Sequence, residues 1–301
     1  MNRSGKQKPT MFYKYMTADI ALKTLRNETL RWSSPLRFND PFDIPRELAE
    51  GMEYANISEA LSKFQEDAMH DSKIDISDLS SDAQIIITRG REMPDQLRRK
   101  YIDFLRLGSK LSVNHDTAFL EKERQKWRET IPNIRILCLS VRKDIVPMWC
   151  HYSDNYQGAV IEFNTAIDIA LNMPWPNVRS VDYFVDPPEL FTEKGWGRWL
   201  MLPGGKSQDE MFYFLFYAKK SDWSYEEEYR AERWEPSADG QHYSDYPLPK
   251  SSISSIYFGP EIKPCNKKCL MQLIKKKLPH VQMYDMSFKY GWEMKFDPID
   301  I

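Results

Sequence analysis

Ser224-Tyr225-Glu226-Glu227-Glu228-Tyr229-Arg230 sets two glutamates one residue apart beside tyrosines and an arginine, and its reading decides what sheet the chain builds. In an extended strand, side chains repeat every two residues. Glu226, Glu228, Arg230 and Glu232 then share one face, while Tyr225, Tyr229 and Ala231 occupy the other. A charged ladder backed by an apolar face suits the wall of a cleft, where a carboxylate can meet a ligand. On a helix the same residues would make Glu226 and Arg230 an ordinary i,i+4 ion pair, worth roughly 0.3 kcal/mol. The segment is read as a strand from Tyr225 to Trp234.

Working outward, Phe12-Tyr13-Lys14-Tyr15-Met16 reads as a strand, followed by Thr17 as the N-cap of a helix with Asp19 in its first turn. Leu30 to Ser33 is a second strand. The loop Phe38-Asn39-Asp40-Pro41-Phe42-Asp43 carries turn chemistry, because Asn and Asp bond their own backbone and Pro41 restricts Asp40. From Pro45 to Pro132 the chain turns polar and helical in period, with helices expected at Ile57 to Met69, around Leu97 to Leu105, and at Asp116 to Glu129.

Strand signals return at Ile134 to Ser140 and Gly158 to Phe163, with a short proline-started helix at Pro147 to Tyr152 between them. Val178 to Val185, Ile253 to Phe258 and Val281 to Phe288 read as further strands. Lys206 to Lys219 and Asn266 to Leu278 read as helices. The fold class expected is α+β with a mixed or antiparallel sheet core. Residues 1–44 and 133–301 form that core, and 45–132 form a helical insertion.

Composition narrows the functional classes. Lys plus Arg number 42 against 44 Asp plus Glu, which argues against nucleic-acid binding through net charge. The basic start is followed by no apolar signal core, and no run approaches the roughly 20 apolar residues of a spanning helix, so a cytoplasmic protein with no membrane partner is expected. Cys138, Cys150, Cys265 and Cys269 are too few for a disulfide scaffold and read as free thiols. The five histidines show no ligand spacing, so no metal is expected.

Four segments together resemble the bacterial domain-of-unknown-function family 2971: Tyr13-Lys14-Tyr15, the loop from Phe38 to Asp43, Cys138-Leu139-Ser140 with Met148-Trp149-Cys150-His151-Tyr152, and Trp223 to Arg230. More distantly, the order Lys14-Tyr15, Ser140, Glu226-x-Glu228 resembles the ADP-ribosyltransferase superfamily. Its pattern has a first strand with His or Arg, a middle strand ending in Ser, and a late strand with the catalytic Glu. Lys14 stands where that pattern has His or Arg.

That resemblance implies an NAD-dependent ADP-ribosyltransferase or NAD hydrolase, serving in phage defence or as a toxin. Glu228 would be catalytic under the ribose and Glu226 would handle the acceptor nucleophile, while the acceptor macromolecule stays open. NAD would be held by Lys14, Tyr15, Ser140, Trp149, Tyr152, Arg230 and Asn39, the aromatic rings stacking on nicotinamide and the cations balancing phosphate. Two other readings stay open. One is a Mg-dependent phosphodiesterase or nuclease using Asp40, Asp43 and Glu228. The other is a non-catalytic nucleotide- or peptide-binding module. Trp149 and Tyr152, at i,i+3 on a short helix, fit a packed core as well as a ligand stack. Asn39 and Asp43 fit turn building, and Ser140 fits the end of a strand.

Overall fold

The structure is a computed structural model that describes residues 9–166, 178–236 and 240–300, with the backbone alone at 110–116. Along the chain come β1 (Met11–Met16), α1 (Ala18–Asn27), β2 (Thr29–Ser33), α2 (Tyr54–His70), α3 (Ser81–Glu92), α4 (Asp95–Thr130) and β3 (Ile134–Ser140). Next are α5 (Val146–Tyr152), β4 (Ala159–Asn164), β5 (Arg179–Ser180), β6 (Asp182–Phe184), α6 (Glu193–Trp199), α7 (Gly204–Tyr217) and β7 (Ala218–Lys220). The chain continues through β8 (Glu228–Trp234), β9 (Tyr243–Pro247), β10 (Ile253–Phe258), α8 (Pro264–Lys277), β11 (Gln282–Lys289) and β12 (Glu293–Pro298).

Local chemistry accounts for many of these ends. The Thr17 hydroxyl accepts from the Ile20 N–H to start α1, and Glu28 closes that helix in the left-handed region with φ 57°. Ser80 starts α3 and Thr192 starts α6 in the same way. Pro147 sits in the first turn of α5, where its missing N–H costs nothing. The two helices expected at Leu97 to Leu105 and Asp116 to Glu129 are one, α4. The stretch between them holds no proline, and Gly108, beside which nothing lies within 4 Å, does not break it.

The chain divides into two compact units. The first comprises Met1–Phe38, Pro132–Val181 and Asp222–Ile301, and the second comprises Asn39–Ile131 and Asp182–Ser221. The second unit therefore takes in residues 182–221, which the sequence reading places in the sheet core. The reason is packing: Met201 and Leu202 join the core made by Ala68, Met69, Leu79, Ala83, Ile87 and Ile102. Gly197 lets α6 come close to α2, since a Cβ there would lie 2.8 Å from the Leu61 nitrogen. The strand expected at Val178 to Val185 is split by the same division. β5 pairs with β8 in the first unit, and β6 runs parallel to β7 in the second.

The first unit is α+β, built on a sheet of order β12-β11-β10-β4-β1-β3-β2-β9, with β8 added on β3 and β5 on β8. All pairs in it are antiparallel except β10 with β11. One face packs Phe12, Leu137, Leu139, Ile161, Phe163, Ile256 and Phe258 with Ala21 and Leu25 of α1 and Leu270 and Ile274 of α8. The other carries Tyr15, Val160, Tyr257 and Met286 beneath Met148 and Trp149 of α5. Gly158 makes the approach to β4 possible, because a Cβ there would meet the Met16 carbonyl at 2.2 Å. Among the described residues no helix is long and apolar enough to cross a membrane, and the four cysteines are free.

Candidate functional site

The site grows from the register of β1, β3 and β8. Ser140, the last residue of β3, pairs with Glu228 on β8 and with Tyr13 on β1. Tyr13 pairs in turn with Glu162 on β4, and Glu162 with Ser255 on β10. Directly opposed residues of antiparallel strands project to the same side. Glu228, Ser140, Tyr13, Glu162 and Ser255 thus form one polar row across the sheet.

At one end, Glu228 is 4% exposed and takes two parallel hydrogen bonds from Arg230 of its own strand, Nε to Oε1 at 2.8 Å and Nη2 to Oε2 at 2.9 Å. The guanidinium also faces the ring of Phe38 at 5.8 Å. A planar fork matched to a carboxylate fixes the orientation of both oxygens. Glu226 is 2% exposed and accepts from the Tyr152 hydroxyl at 2.7 Å.

Glu226 is buried by a different route from the one the spacing predicts. Residues 221–226 form a 3₁₀ turn, Glu227 adopts φ 44°, and the strand begins only at Glu228. Glu226 is therefore off the ladder. Glu227 turns to Arg142, whose Nη1 donates to it at 3.0 Å.

The other expected ligand residues separate. Lys14 alternates with Tyr13 and so belongs to the opposite side of β1. Its ammonium donates to the Cys138 carbonyl at 2.7 Å. Tyr13, and not Lys14, stands beside Ser140. The Tyr15 hydroxyl donates to the Arg142 carbonyl at 3.0 Å and accepts from the Ile145 N–H at 3.2 Å, clamping the loop before α5.

Trp149 is fully buried and is a core residue. Its ring stacks on Tyr156, meets Tyr15 edge-on, and donates its indole N–H to the Lys143 carbonyl at 2.8 Å. It offers no face for a ligand. Ser140 closes its strand by accepting from the Arg142 N–H at 3.1 Å. Asn39 is an exposed residue of the second unit.

The residue that sequence reasoning missed is Glu162. Ser254 donates to it at 2.6 Å, Ser255 at 3.1 Å and Tyr257 at 2.7 Å, and Tyr13 adds a further hydrogen bond. Burial pushes this carboxyl up, but the hydroxyl hydrogen bonds outweigh it and hold the group below its ordinary value of 4.5. Burial and the same carboxylate push the Tyr13 and Tyr257 phenols up. Lys143 donates to the Tyr257 hydroxyl at 3.2 Å, its ammonium 4.5 Å from that ring's centre. The signal available in the sequence was a single carboxylate inside the apolar run Ala159-Val160-Ile161-Glu162-Phe163.

Among the described residues no three His, Cys, Asp or Glu side chains stand together as a set that could hold a metal ion. No curated protein and no solved structure matches the chain. Over residues 148–231, the stretch that supplies Tyr152, Glu226, Glu228 and Arg230, the chain matches the family model described as "Protein of unknown function (DUF2971)", the family its sequence resembles.

Proposed function

We propose that the protein cleaves the bond between nicotinamide and ribose in NAD and passes the ADP-ribosyl group to an acceptor or to water. The observation that carries this reading is the direct register of Tyr13, Ser140 and Glu228 on three neighbouring strands. These are the strands that the distant transferase resemblance singles out. Tyr13 takes the place on the row that the resemblance gives to Lys14.

In the reaction the C1′–N bond breaks and its electron pair stays on the pyridine nitrogen, which loses its positive charge. The ribose gains oxocarbenium character, and a fixed carboxylate stabilises it. Glu228 takes that role, with Arg230 holding both of its oxygens in place. Glu226, tied to Tyr152, receives the proton of the acceptor as it adds to C1′. Such an activity would serve a toxin or a phage-defence enzyme by consuming NAD or modifying a target.

The test is nicotinamide release from labelled NAD, with cell lysate as a source of acceptors. Glu228→Gln is expected to lower turnover on the order of 10²-fold while NAD binding is kept. Equal turnover by both proteins, or none by either at high concentration, would overturn the reading.

The tight pairing of Glu228 with Arg230 in a buried corner favours one alternative, a module that binds a nucleotide without cleaving it. That alternative calls for thermal stabilisation by NAD with no nicotinamide released, unchanged by Glu228→Gln.

A further inference from the structure

Two of the cysteines form a pair that neither the sheet nor the NAD reading uses. Cys265 and Cys269 lie on α8, four residues apart, and both are exposed. Leu270 and Ile274 of the same helix are buried in the core of the first unit, which fixes α8 on the sheet and leaves the thiols facing outward. Residues i and i+4 stand one above the other on a helix, so the two sulfurs share one stripe a single turn apart. The Cys265 thiol makes one long contact, to the Asn266 Oδ1 at 3.8 Å.

Spacing decides what such a pair can do. The Cβ atoms of residues i and i+4 on a helix are about 5–6 Å apart, whereas a disulfide needs about 3.5–4.5 Å. Oxidation therefore cannot link the pair without unwinding the start of α8. An ion held by two sulfur–metal bonds of about 2.3 Å each spans the gap with the helix intact.

The number of donors decides which ion. Among the described residues no three His, Cys, Asp or Glu side chains stand together, so the pair lacks both the four protein ligands of a structural zinc site and the three of a catalytic one. Magnesium and calcium take oxygen donors and have no place on it. Two thiolates alone are the donor set of a soft, two-coordinate monovalent ion, and thiolate sulfur selects copper(I). On binding, both thiols lose their protons to solvent, two S–Cu bonds form and copper stays at +1, so the complex carries one negative charge. The exposed ammonium of Lys268, next to Cys269, offsets that charge, and Cys265 lies in the first turn, at the positive end of the helix dipole.

We propose that Cys265 and Cys269 form a surface site for one copper(I) ion. The site lies wholly in the first unit's α8 and does not rest on the NAD reading.

The test is an anaerobic titration of the reduced full chain with copper(I) against bathocuproine disulfonate, a chelator whose colour reports the copper it holds. Wild type is expected to withhold one equivalent of copper from the chelator, and Cys265→Ser and Cys269→Ser are each expected to lose that equivalent. Both positions are exposed, and circular dichroism checks that the variants are folded. A shifted pair, Cys269→Ser with Gln272→Cys, keeps the number of thiols but sets the two on α8 seven residues and about 10 Å apart along the axis. It is expected to lose the equivalent as the serine variants do, which separates a built pair from adventitious binding to any exposed thiol. X-ray absorption of the wild-type complex is expected to show two sulfur neighbours per copper. No equivalent withheld by wild type, retention of it by a serine variant or by the shifted pair, or a shell of three or more sulfurs would each overturn the proposal.

Discussion

Glu228 and Glu162 lie in one register row of the first unit's sheet, and different chemistry keeps each of them buried. Glu228 takes two parallel bonds from the Arg230 guanidinium, charge against charge, and the Cys138 thiol hydrogen-bonds to it as well. Glu162 is held by hydroxyls, which donate hydrogen bonds without bringing a charge of their own. A buried carboxylate needs its desolvation offset, and an arginine does this in one step while hydroxyls do it in small increments. The first arrangement fixes a carboxylate through a charged partner on its own strand. The second spreads the load and links β1, β4 and β10 through a shared acceptor.

The contrast can be broken most forcefully at Arg230. Arg230→Met removes the charge matched to Glu228 and is expected to cost about 3–5 kcal/mol in urea unfolding. A cost under about 1 kcal/mol would mean that Glu228 is not held by this pair. At the other carboxylate, Tyr257→Phe removes one donor among several, with an expected loss of about 1–3 kcal/mol.

The pH dependence of that loss sharpens the comparison. The folded-state pKa of Glu162 is depressed, so its contribution is present above its ordinary value of 4.5 and is lost as pH falls through and below it. The stability gap between wild type and Tyr257→Phe should hold steady from neutral pH to about pH 5 and narrow on further acidification. A gap that widens in acid would contradict the assigned sign.

The smallest effect is expected at Arg31 and Asp245, which repeat the bidentate geometry of Arg230 and Glu228, at 2.8 Å for both bonds, with side chains 44% and 37% exposed. Arg31→Met should cost only about 0.2–1 kcal/mol. Similar losses for Arg31→Met and Arg230→Met would show that burial, the variable separating them, has no effect.

Much of the fold is legible where burial is two-sided or the capping is local. β3 and β4 are largely apolar runs, and Thr17 announces α1. Of the strands that escape notice, β9 and β12 are the two ends of the sheet order. An edge strand is half in water, and Tyr243-Ser-Asp-Tyr-Pro247 and Glu293-Met-Lys-Phe-Asp-Pro298 accordingly lack a strong apolar pattern.

The site is less legible for a related reason. That Glu226 and Glu228 would both be buried near aromatic rings is suggested by their neighbours. That they are not successive rungs of one ladder depends on the positive φ of Glu227, which nothing in the triple glutamate signals. The choice of Tyr13 over Lys14, and the whole Glu162 network, depend on cross-strand register between segments at least 92 residues apart. Residues 182–221 show their apolar positions plainly, but which core those side chains join is set by the three-dimensional path.

The central claim is that the two carboxylates divide the work, Glu228 for chemistry and Glu162 for the sheet. The most direct test measures nicotinamide release from NAD by wild type, Glu228→Gln and Glu162→Gln, each at a temperature where circular dichroism shows it folded. Loss on the order of 10²-fold is expected for Glu228→Gln, with Glu162→Gln keeping turnover close to wild type. Loss at Glu162→Gln with turnover intact in Glu228→Gln would contradict the account.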